Sequence, residues 1–426
     1  MSEAMELPEG WRKVKLGEIG QLSGGGTPST KDENYWNGGI PWLTPNEVTK
    51  SNSLFVTSTQ RTISEIGLKN SSARLQPVGT VMLTSRATIG EVAINTVPMA
   101  TNQGFINVIC DSEFVFNEFL AHWMAHNKEI FIERAHGAIF KEITKSNFKV
   151  ISIILPPLPE QRAIAEVLGS VQAALAARRR EQQLEQEYKA ALLEHLFTRS
   201  TRGGETRETE IGEVPMGWEV TTLKKVFEGG GKIQTGPFGS QLHAYDYLPE
   251  GIPVLNPTHL GANTINKKSV PRISQEKAKE LTKHFLKEGD ILISRRGDFS
   301  HYAYITPDFS GGLCGTGCLL LRIQNPEIDN YYVSVWLGMR VAQDYLRKNA
   351  VGTVMPNLNT SILNSIPMLI PPLPEQQRIA AVLGAVDEKL GALATEVARL
   401  EELFRALLEE LLSGRMRTRA LSKEEN

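Results

Sequence analysis

The chain reads Leu155-Pro156-Pro157-Leu158-Pro159-Glu160-Gln161, and 215 positions later it reads Ile370-Pro371-Pro372-Leu373-Pro374-Glu375-Gln376. The match continues downstream at the same offset. With small slips it also extends upstream, until Leu7-Pro8-Glu9-Gly10-Trp11 aligns with Val214-Pro215-Met216-Gly217-Trp218. Self-similarity over such a length indicates one structural unit that is present twice. Each copy is predicted to be a globular segment followed by a long helix.

The second motif opens a helix with the pattern of a coiled coil. Its apolar residues alternate in steps of four and three from Ile379 to Leu411, and Pro374 and Gly414 are residue types that begin and end helices. In the first copy the same seam is apolar at its ends and polar in the middle, at Arg178, Gln182, Glu185 and Lys189. An exposed apolar seam is unfavourable in water, so the two helices are predicted to pair, antiparallel, about a pseudo-twofold axis.

The globular segments mix helix and strand signals. Short β-branched runs such as 79–83 and 289–293 predict strands, and the stretches 117–135 and 330–348 predict helices. We therefore predict an α+β fold in which two repeated mixed α/β domains are joined by two long antiparallel coiled-coil helices. The predicted boundaries are domain 1–155, helix 156–200, linker 201–214, domain 215–370, helix 371–414 and tail 415–426.

The composition restricts the class of protein. A length of 426 residues, a hydrophobic fraction of 41% and a formal net charge of -2 are typical of a globular protein with more than one domain. The near-neutral charge argues against wrapping nucleic acid by bulk electrostatics but allows a local basic face. No run approaches the ~18 apolar residues of a membrane helix. With only three cysteines, Cys110, Cys314 and Cys318, the chain is predicted to be cytoplasmic and without membrane contact.

No catalytic or metal-binding motif is evident. His122 and His126 have the spacing of a zinc pair, but Trp123 stands where a metalloprotease has Glu, so ordinary helix histidines are the preferred interpretation. A phosphate-binding loop is missing, because Gly231-Lys232 is followed by Ile233. Cys314 and Cys318 are predicted to lie within strands. We expect no active site and no metal in this chain.

The two globular segments share a frame and differ in their loops, as expected of two surfaces that bind different targets. Asn and Gln pair with adenine edges, and Arg and Lys with guanine or phosphate, so polar loop residues are candidates for contacting DNA. The strongest are Arg86 and the pair Arg295-Arg296, which follow equivalent strands. The first segment contributes Lys31, Tyr35, Trp36, Asn46, Arg86, Thr88, Asn102, Gln103 and Lys141. The second contributes Gln234, Ser240, Gln241, Asn256, Arg295, Arg296, His301, Thr316 and Asn357.

The doubled proline motif, together with Gly24-Gly25-Gly26-Thr27-Pro28 and Ile40-Pro41-Trp42-Leu43, resembles the specificity subunit of type I restriction-modification systems over nearly the whole chain. The resemblance implies two target recognition domains, each binding one half of an asymmetric bipartite DNA site, with helices that set the unread spacer. It also implies a subunit without activity of its own. The absence of Asn-Pro-Pro-Tyr and Asp-Pro-Pro-Tyr, the tetrapeptides of adenine methyltransferases, agrees with this.

The partners implied by the resemblance are double-stranded DNA, two methyltransferase subunits that methylate adenine, and restriction subunits that cleave DNA. S-adenosylmethionine, ATP and Mg²⁺ are expected in those partner subunits, and no cofactor is expected in this chain. Two other functions stay open. A protein-only scaffold or tether would also explain the duplication, and it predicts no sequence-dependent DNA binding. An enzyme with a cryptic nuclease or methyltransferase site is disfavoured by the missing motifs.

Overall fold

The computed structural model describes residues 7–51, 53–137, 141–201, 203–352 and 355–418. It divides into two compact units, the first formed by Met1–Gln182 with Ala392–Asn426 and the second by Gln183–Gly391. Both divisions fall inside a long helix, so each unit holds one globular segment and part of each helix. The predicted tail 415–426 lies outside the described residues from position 419, and the predicted boundaries of the domains stay predictions.

The first unit is built around sheets that bury their central strands. Its strands are β1 (Arg12–Lys15), β2 (Gly20–Gly24), β3 (Trp36–Leu43), β4 (Phe55–Val56), β5 (Thr62–Ile63), β6 (Val81–Thr84), β7 (Val92–Asn95), β8 (Ala100–Thr101), β9 (Phe105–Cys110) and β10 (Ser152–Leu155). Its helices are α1 (Pro45–Lys50), α2 (Glu65–Lys69), α3 (Asn117–His126), α4 (Lys128–Glu133), α5 (Lys145–Lys149) and the long α6 (Leu158–Arg199), whose last part belongs to the second unit.

These strands form a five-stranded sheet of order β2-β9-β6-β7-β4, a three-stranded sheet of order β5-β3-β8 and the pair β1-β10. All four residues of β6 are buried. An inner strand covered on both faces favours a continuous apolar run, which explains the sequence Val81-Met82-Leu83.

The second unit contains the remaining elements. Its strands are β11 (Thr206–Thr209), β12 (Gly212–Pro215), β13 (Glu219–Thr222), β14 (Gly231–Thr235), β15 (Ile252–Leu255), β16 (Arg272–Ile273), β17 (Ile291–Ser294), β18 (Tyr302–Tyr304), β19 (Leu313–Cys314), β20 (Cys318–Ile323) and β21 (Pro367–Ile370). Its helices are α7 (Leu223–Val226), α8 (Gln275–Glu280), α9 (Asn330–Leu337), α10 (Arg340–Asn349), α11 (Thr360–Asn364) and the first part of α12 (Leu373–Ser413). Cys314 and Cys318 lie in buried strand positions, as predicted.

The sheets of the second unit repeat those of the first. The order β14-β20-β17-β18 corresponds to β2-β9-β6-β7, the order β16-β15-β19 corresponds to β5-β3-β8, and β13-β21 corresponds to β1-β10. Even the single parallel pairing inside the three-stranded sheet is present in both units, as β3 with β8 and as β15 with β19. The predicted α+β fold with an internal repeat is confirmed.

Two predicted helices are each divided in two. The stretch 117–135 is interrupted at Asn127, whose side-chain amide donates to the Trp123 carbonyl at 2.8 Å and ends α3. The stretch 330–348 is interrupted at Gly338, after which Met339 is extended and caps α10. The side-chain bond of Asn127 and the extended backbone of Met339 therefore override the apolar pattern, which runs on across both breaks.

The predicted linker 201–214 contains most of a β-hairpin, β11 with β12. Its turn is closed by Thr209, whose hydroxyl donates to the Gly212 carbonyl at 2.7 Å, and Gly212 has a φ of +104. This left-handed conformation is available to glycine at little cost. The polar composition of the segment reflects its tight turn and exposed faces, and it concealed the strands from sequence analysis.

The long helices pack antiparallel within the first unit. Glu160 in the first turn of α6 pairs with Arg417, beyond the end of α12, at 2.6 Å, while Arg178 further along α6 pairs with Glu396 at 2.8 Å. Residues further along α6 therefore pair with residues earlier in the chain of α12, as expected for antiparallel helices. None of the helices in the described part of the chain is long and apolar enough to cross a lipid bilayer.

The same antiparallel relation holds within the second unit and explains the polar middle of the α6 seam. Glu185 pairs with Lys389 at 2.6 Å, and Lys189 pairs with Asp387. Charged residues that interrupt the seam on α6 thus meet opposite charges on α12. Such pairs fix the register of the two helices, because each charge meets its opposite only in this alignment.

His122 of α3 gives the first unit a pH-dependent stability. It is 4% exposed, and its ring centre lies 6.2 Å from that of Phe404. Burial lowers its pKa from 6.5 to about 4. Its stabilising contribution is therefore present above pH 6.5 and is lost as the pH falls toward 4, because the unfolded chain binds the proton first. Between pH 7 and pH 5 we expect the free energy of unfolding to fall by about 2 kcal/mol through this group.

Replacing His122 by Leu should remove this part of the pH dependence. Urea unfolding of the full chain at both pH values measures it directly. An unchanged pH dependence in the variant would contradict the role given to His122.

Candidate nucleic-acid interface

In both units the strand that precedes the predicted arginine ends in a tight turn. β6 leads into a first loop, residues 85–90, and β17 leads into a second loop, residues 295–300. The third loop residue is left-handed in both, Ala87 with a φ of +62 and Gly297 with a φ of +78. This conformation costs an alanine about 1 kcal/mol or more. The shared turn therefore sets Arg86 and Arg296 at equivalent positions.

The backbone holds the first loop between two other segments. The Ser85 amide donates to the Gly104 carbonyl at 2.7 Å, and the Ile143 amide donates to the Ser85 carbonyl at 3.1 Å. α1 also contacts the loop, because the Thr49 hydroxyl lies 3.1 Å from that of Thr88. These contacts bring together six predicted residues, which we call the first cluster: Arg86, Thr88, Asn102, Gln103 and Lys141, with Asn46 on α1.

Equivalent bonds hold the second loop. The Arg295 amide donates to the Gly317 carbonyl at 2.8 Å, and the Leu358 amide donates to the Arg295 carbonyl at 2.8 Å. The Ser294 amide donates to the His301 carbonyl at 2.8 Å. Six predicted residues lie together here and form the second cluster: Arg295, Arg296, His301, Thr316 and Asn357, with Asn256 beside the Leu255 carbonyl that accepts from the Gly315 amide.

Three predicted residues of the first unit lie apart from the first cluster. Lys31 is exposed, and Tyr35 is half-buried in a short 3-10 turn. Trp36 is buried in a small core: its indole N–H donates to the Ser29 carbonyl at 3.1 Å, and the Arg61 guanidinium lies 3.5 Å from its ring centre. A buried ring with its only polar group in use has nothing left to pair with a base.

Three predicted residues of the second unit also lie outside the second cluster. The Gln234 side-chain amide donates to the Lys283 carbonyl at 2.8 Å, and the Gln241 side-chain carbonyl accepts from the Phe238 amide at 3.1 Å. Both side chains therefore bond to the protein's own backbone. Ser240, in the same loop as Gln241, is exposed.

The side chains of the first cluster are largely paired within the protein. The Asn102 side-chain carbonyl accepts from the Gly104 amide at 2.8 Å, and that of Gln103 accepts from the Thr27 hydroxyl at 2.6 Å. Arg86 forms an ion pair with Glu142 at 2.7 Å. Arg86, Asn102 and Gln103 thus each have a polar partner within the protein.

The second cluster is much less satisfied. Three of its side-chain atoms, Arg295 Nε, Thr316 Oγ1 and Asn357 Oδ1, are buried and make no hydrogen bond within the described residues. An unpaired buried polar group costs about 1 to 3 kcal/mol. Three such atoms lie around one loop, and a polar ligand that supplies the missing hydrogen-bond partners removes this cost in free energy.

Glu142 is the cluster residue that sequence analysis missed. The doubled motif aligns it with Asn357, which lies 215 positions later and was itself a candidate. Comparing the two copies position by position, rather than choosing residues by type, would have found it.

Covalent chemistry has little support. Burial raises the pKa of Cys110 and of Cys314 to about 12, so both thiols stay protonated and are poor nucleophiles. Within the residues that the structure describes, no three His, Cys, Asp or Glu side chains lie close enough to hold a metal ion.

A family model described as the type I restriction modification DNA specificity domain matches residues 8–186 and 215–402. The chain is 27% identical over 431 residues to the type I restriction enzyme MjaIX specificity subunit of Methanocaldococcus jannaschii, covering 98% of this chain and 96% of that one. Identity to the MjaVIII specificity subunit of the same organism is 23% over 439 residues, covering 98% and 96%. The S subunit of a type I restriction-modification system from M. genitalium has a crystal structure that matches with a TM-score of 0.65 and 15% identity, covering 96% and 98%, which shows a shared fold.

Proposed function

The chain belongs to the family of type I restriction modification DNA specificity domains, and on that premise we propose that it is the DNA sequence-specificity subunit of a type I restriction-modification complex. Its two globular segments act as target recognition domains. Each binds one half of an asymmetric bipartite site, the first through the first cluster and the second through the second cluster.

One observation carries the proposal: the same frame is built twice, and equivalent loops at the ends of β6 and β17 present different side chains. A single target would favour two equal surfaces. Unequal polar and basic groups on an equal frame suit two different base sequences, because base edges are distinguished by their pattern of donors and acceptors.

The remaining activities belong to partner subunits. Two methyltransferase subunits bind S-adenosylmethionine and methylate adenine, and restriction subunits use ATP and Mg²⁺ to cleave DNA. This chain contributes recognition and has no active site, in agreement with the missing phosphate loop and methyltransferase tetrapeptide. Such a complex acts on DNA in the cytoplasm, and its partners supply much of the phosphate contact that a chain of net charge -2 lacks.

Exchange of one globular segment tests the proposal. We replace residues 207–370 by the matching segment of a related specificity subunit and map methylated adenines in a host that carries this chain and its methyltransferase. We expect one half of the recognised site to change and the other to stay, because the two clusters lie in separate units. The reciprocal exchange of residues 1–155 is the matched control and should change the other half.

Two results would overturn the proposal. Changes in both half-sites after a single exchange would contradict independent recognition domains. Methylation or DNA binding without any sequence preference, with the partners present, would favour the protein-only scaffold.

A further inference from the structure

The residue that faces the loop arginine across a backbone bridge is charged in the first cluster and neutral in the second. Arg86 and Glu142 are opposite each other in an antiparallel backbone bridge, and their side chains form an ion pair at 2.7 Å. Arg296 and Asn357 form the equivalent bridge. Asn357 carries no charge, and the side chain of Arg296 makes no hydrogen bond or ion pair with any described residue.

We propose that the residue opposite the arginine determines whether that arginine is available to DNA. Asn357 leaves Arg296 free to donate to an acceptor on DNA, a phosphate oxygen or a guanine edge. Glu142 instead keeps Arg86 as a positioning residue that holds the first loop. The inference rests on the proposed function and assigns the direct arginine contact to the second domain alone.

Electrostatics support this difference. An anionic group approaching Arg86 also meets the Glu142 carboxylate, which lies 2.7 Å from the guanidinium. This separation is well inside the Debye length of about 8 Å at physiological salt, so the attraction and the repulsion nearly cancel. No such carboxylate forms an ion pair with Arg296 among the described residues.

The surroundings of Arg296 favour a ligand as well. The three unpaired buried atoms lie around the second loop. Arg295 is part of it, Asn357 forms the backbone bridge with Arg296, and Thr316 precedes Gly317, whose carbonyl accepts from the Arg295 amide. The guanidinium of Arg295, the hydroxyl of Thr316 and the amide oxygen of Asn357 are hydrogen-bonding groups of the kind that read a base edge. Among the described residues, the first cluster contains no buried side-chain atom without a hydrogen-bond partner.

Reciprocal substitution tests the proposal on the full chain assembled with its methyltransferase subunits. The probe is a duplex that carries the bipartite site identified by methylation mapping. Asn357→Glu should give Arg296 the neighbour that Arg86 has, weakening binding about tenfold or more. If the acceptor is a phosphate, the slope of log K against log salt should also become shallower by about 1. Glu142→Asn should free Arg86, strengthening binding and increasing the slope by about 1.

The two possible acceptors give different results. If Arg296 contacts a phosphate, Asn357→Glu weakens binding equally on all duplexes. If it contacts guanine, the loss is confined to duplexes with that base in the half-site of the second domain, and specificity relaxes there. Both results support the proposal.

Gln324→Glu is the matched control. It adds the same charge at the far end of β20, roughly 20 Å along the strand from Gly317, which is beyond the Debye length of about 8 Å. It should leave affinity and salt slope unchanged. Equal behaviour of Asn357→Glu and Gln324→Glu would overturn the proposal. Absence of sequence-dependent binding by the unmodified complex would instead overturn the proposed function.

Truncation of the arginines gives a second test that does not depend on the folding of the Asn357 variant. Arg296→Ala changes an exposed side chain and should weaken binding about tenfold or more. Arg86→Ala should weaken it far less, because it removes an ion pair and no DNA contact. Equal losses in the two variants would contradict the assignment.

Discussion

Replacing Gln376 by Ala is expected to destabilise the second unit by about 3 kcal/mol, because three backbone groups lose their partner at once. The side chain is 1% exposed. Its amide donates to the carbonyls of Pro371 at 2.8 Å and Glu327 at 3.1 Å, and its carbonyl accepts from the Asp329 amide at 2.9 Å. Chemical unfolding of the full chain measures the loss.

Gln161 performs the same task in the first unit. It donates to the carbonyls of Pro156 at 2.9 Å and Phe114 at 3.2 Å, and it accepts from the Phe116 amide at 2.8 Å. Gln161→Ala should therefore cost the first unit a similar amount. Each glutamine ties the start of a long helix to the segment just before an earlier helix of its own unit, α3 for Gln161 and α9 for Gln376.

Gln377→Ala is the control for Gln376→Ala. Gln377 is the next residue and is exposed, so its loss should change stability by less than about 0.5 kcal/mol. A Gln376 variant as stable as the Gln377 variant would show that the doubled motif is kept for its prolines and not for this hydrogen-bonded glutamine.

These contacts explain why the doubled motif predicted so much. The second proline of each copy, Pro157 or Pro372, caps the start of a long helix. The carbonyls of these prolines accept from the amides of Glu160 and Glu375 at 2.9 and 2.8 Å. A further proline in the first helical turn costs no hydrogen bond. The prolines that start the helix and the glutamine that ties it to the domain lie in one short stretch of sequence. Repetition of that stretch was therefore sufficient to predict the repeated frame and both helices.

Other features could not be read from local sequence. The helix break at Asn127 depends on one side-chain bond to the Trp123 carbonyl. Burial of Trp36 depends on Arg61, which follows it by 25 positions and covers its ring. Such contacts arise from tertiary packing, and the amino-acid type alone does not distinguish a tryptophan in a core from one on a binding surface.

The candidate site shows the same limit. Sequence analysis chose Arg86 and Arg296 for equal reasons, since both follow equivalent strands. Their difference comes from a third segment, which brings Glu142 to one and Asn357 to the other through backbone bridges. Residues more than 50 positions apart meet only through the sheet topology, so the pairing had no local signal.

Replacing Asp290 by Thr is expected to destabilise the second unit by about 3 to 5 kcal/mol, because it leaves a largely buried guanidinium without its carboxylate. Asp290 is 2% exposed. It accepts from Arg322 Nε at 2.8 Å, from Arg322 Nη2 at 2.5 Å and from the Lys287 amide at 2.7 Å. Chemical unfolding of the full chain measures the effect.

The first unit supplies the control for this ion pair, because it builds the same strand pairing without charge. Thr80 precedes β6 as Asp290 precedes β17, and the strand registers align Ile109 with Arg322. The double variant Asp290→Thr with Arg322→Ile should therefore recover most of the lost stability, since a buried ion pair and an apolar replacement are often nearly equal in free energy. Recovery should stop about 1 kcal/mol short, because the Phe285 carbonyl loses the donor that Arg322 provides at 2.7 Å. A double variant as unstable as the single one would mean that the aliphatic part of the Arg322 side chain, and not its charge, stabilises this edge of the sheet.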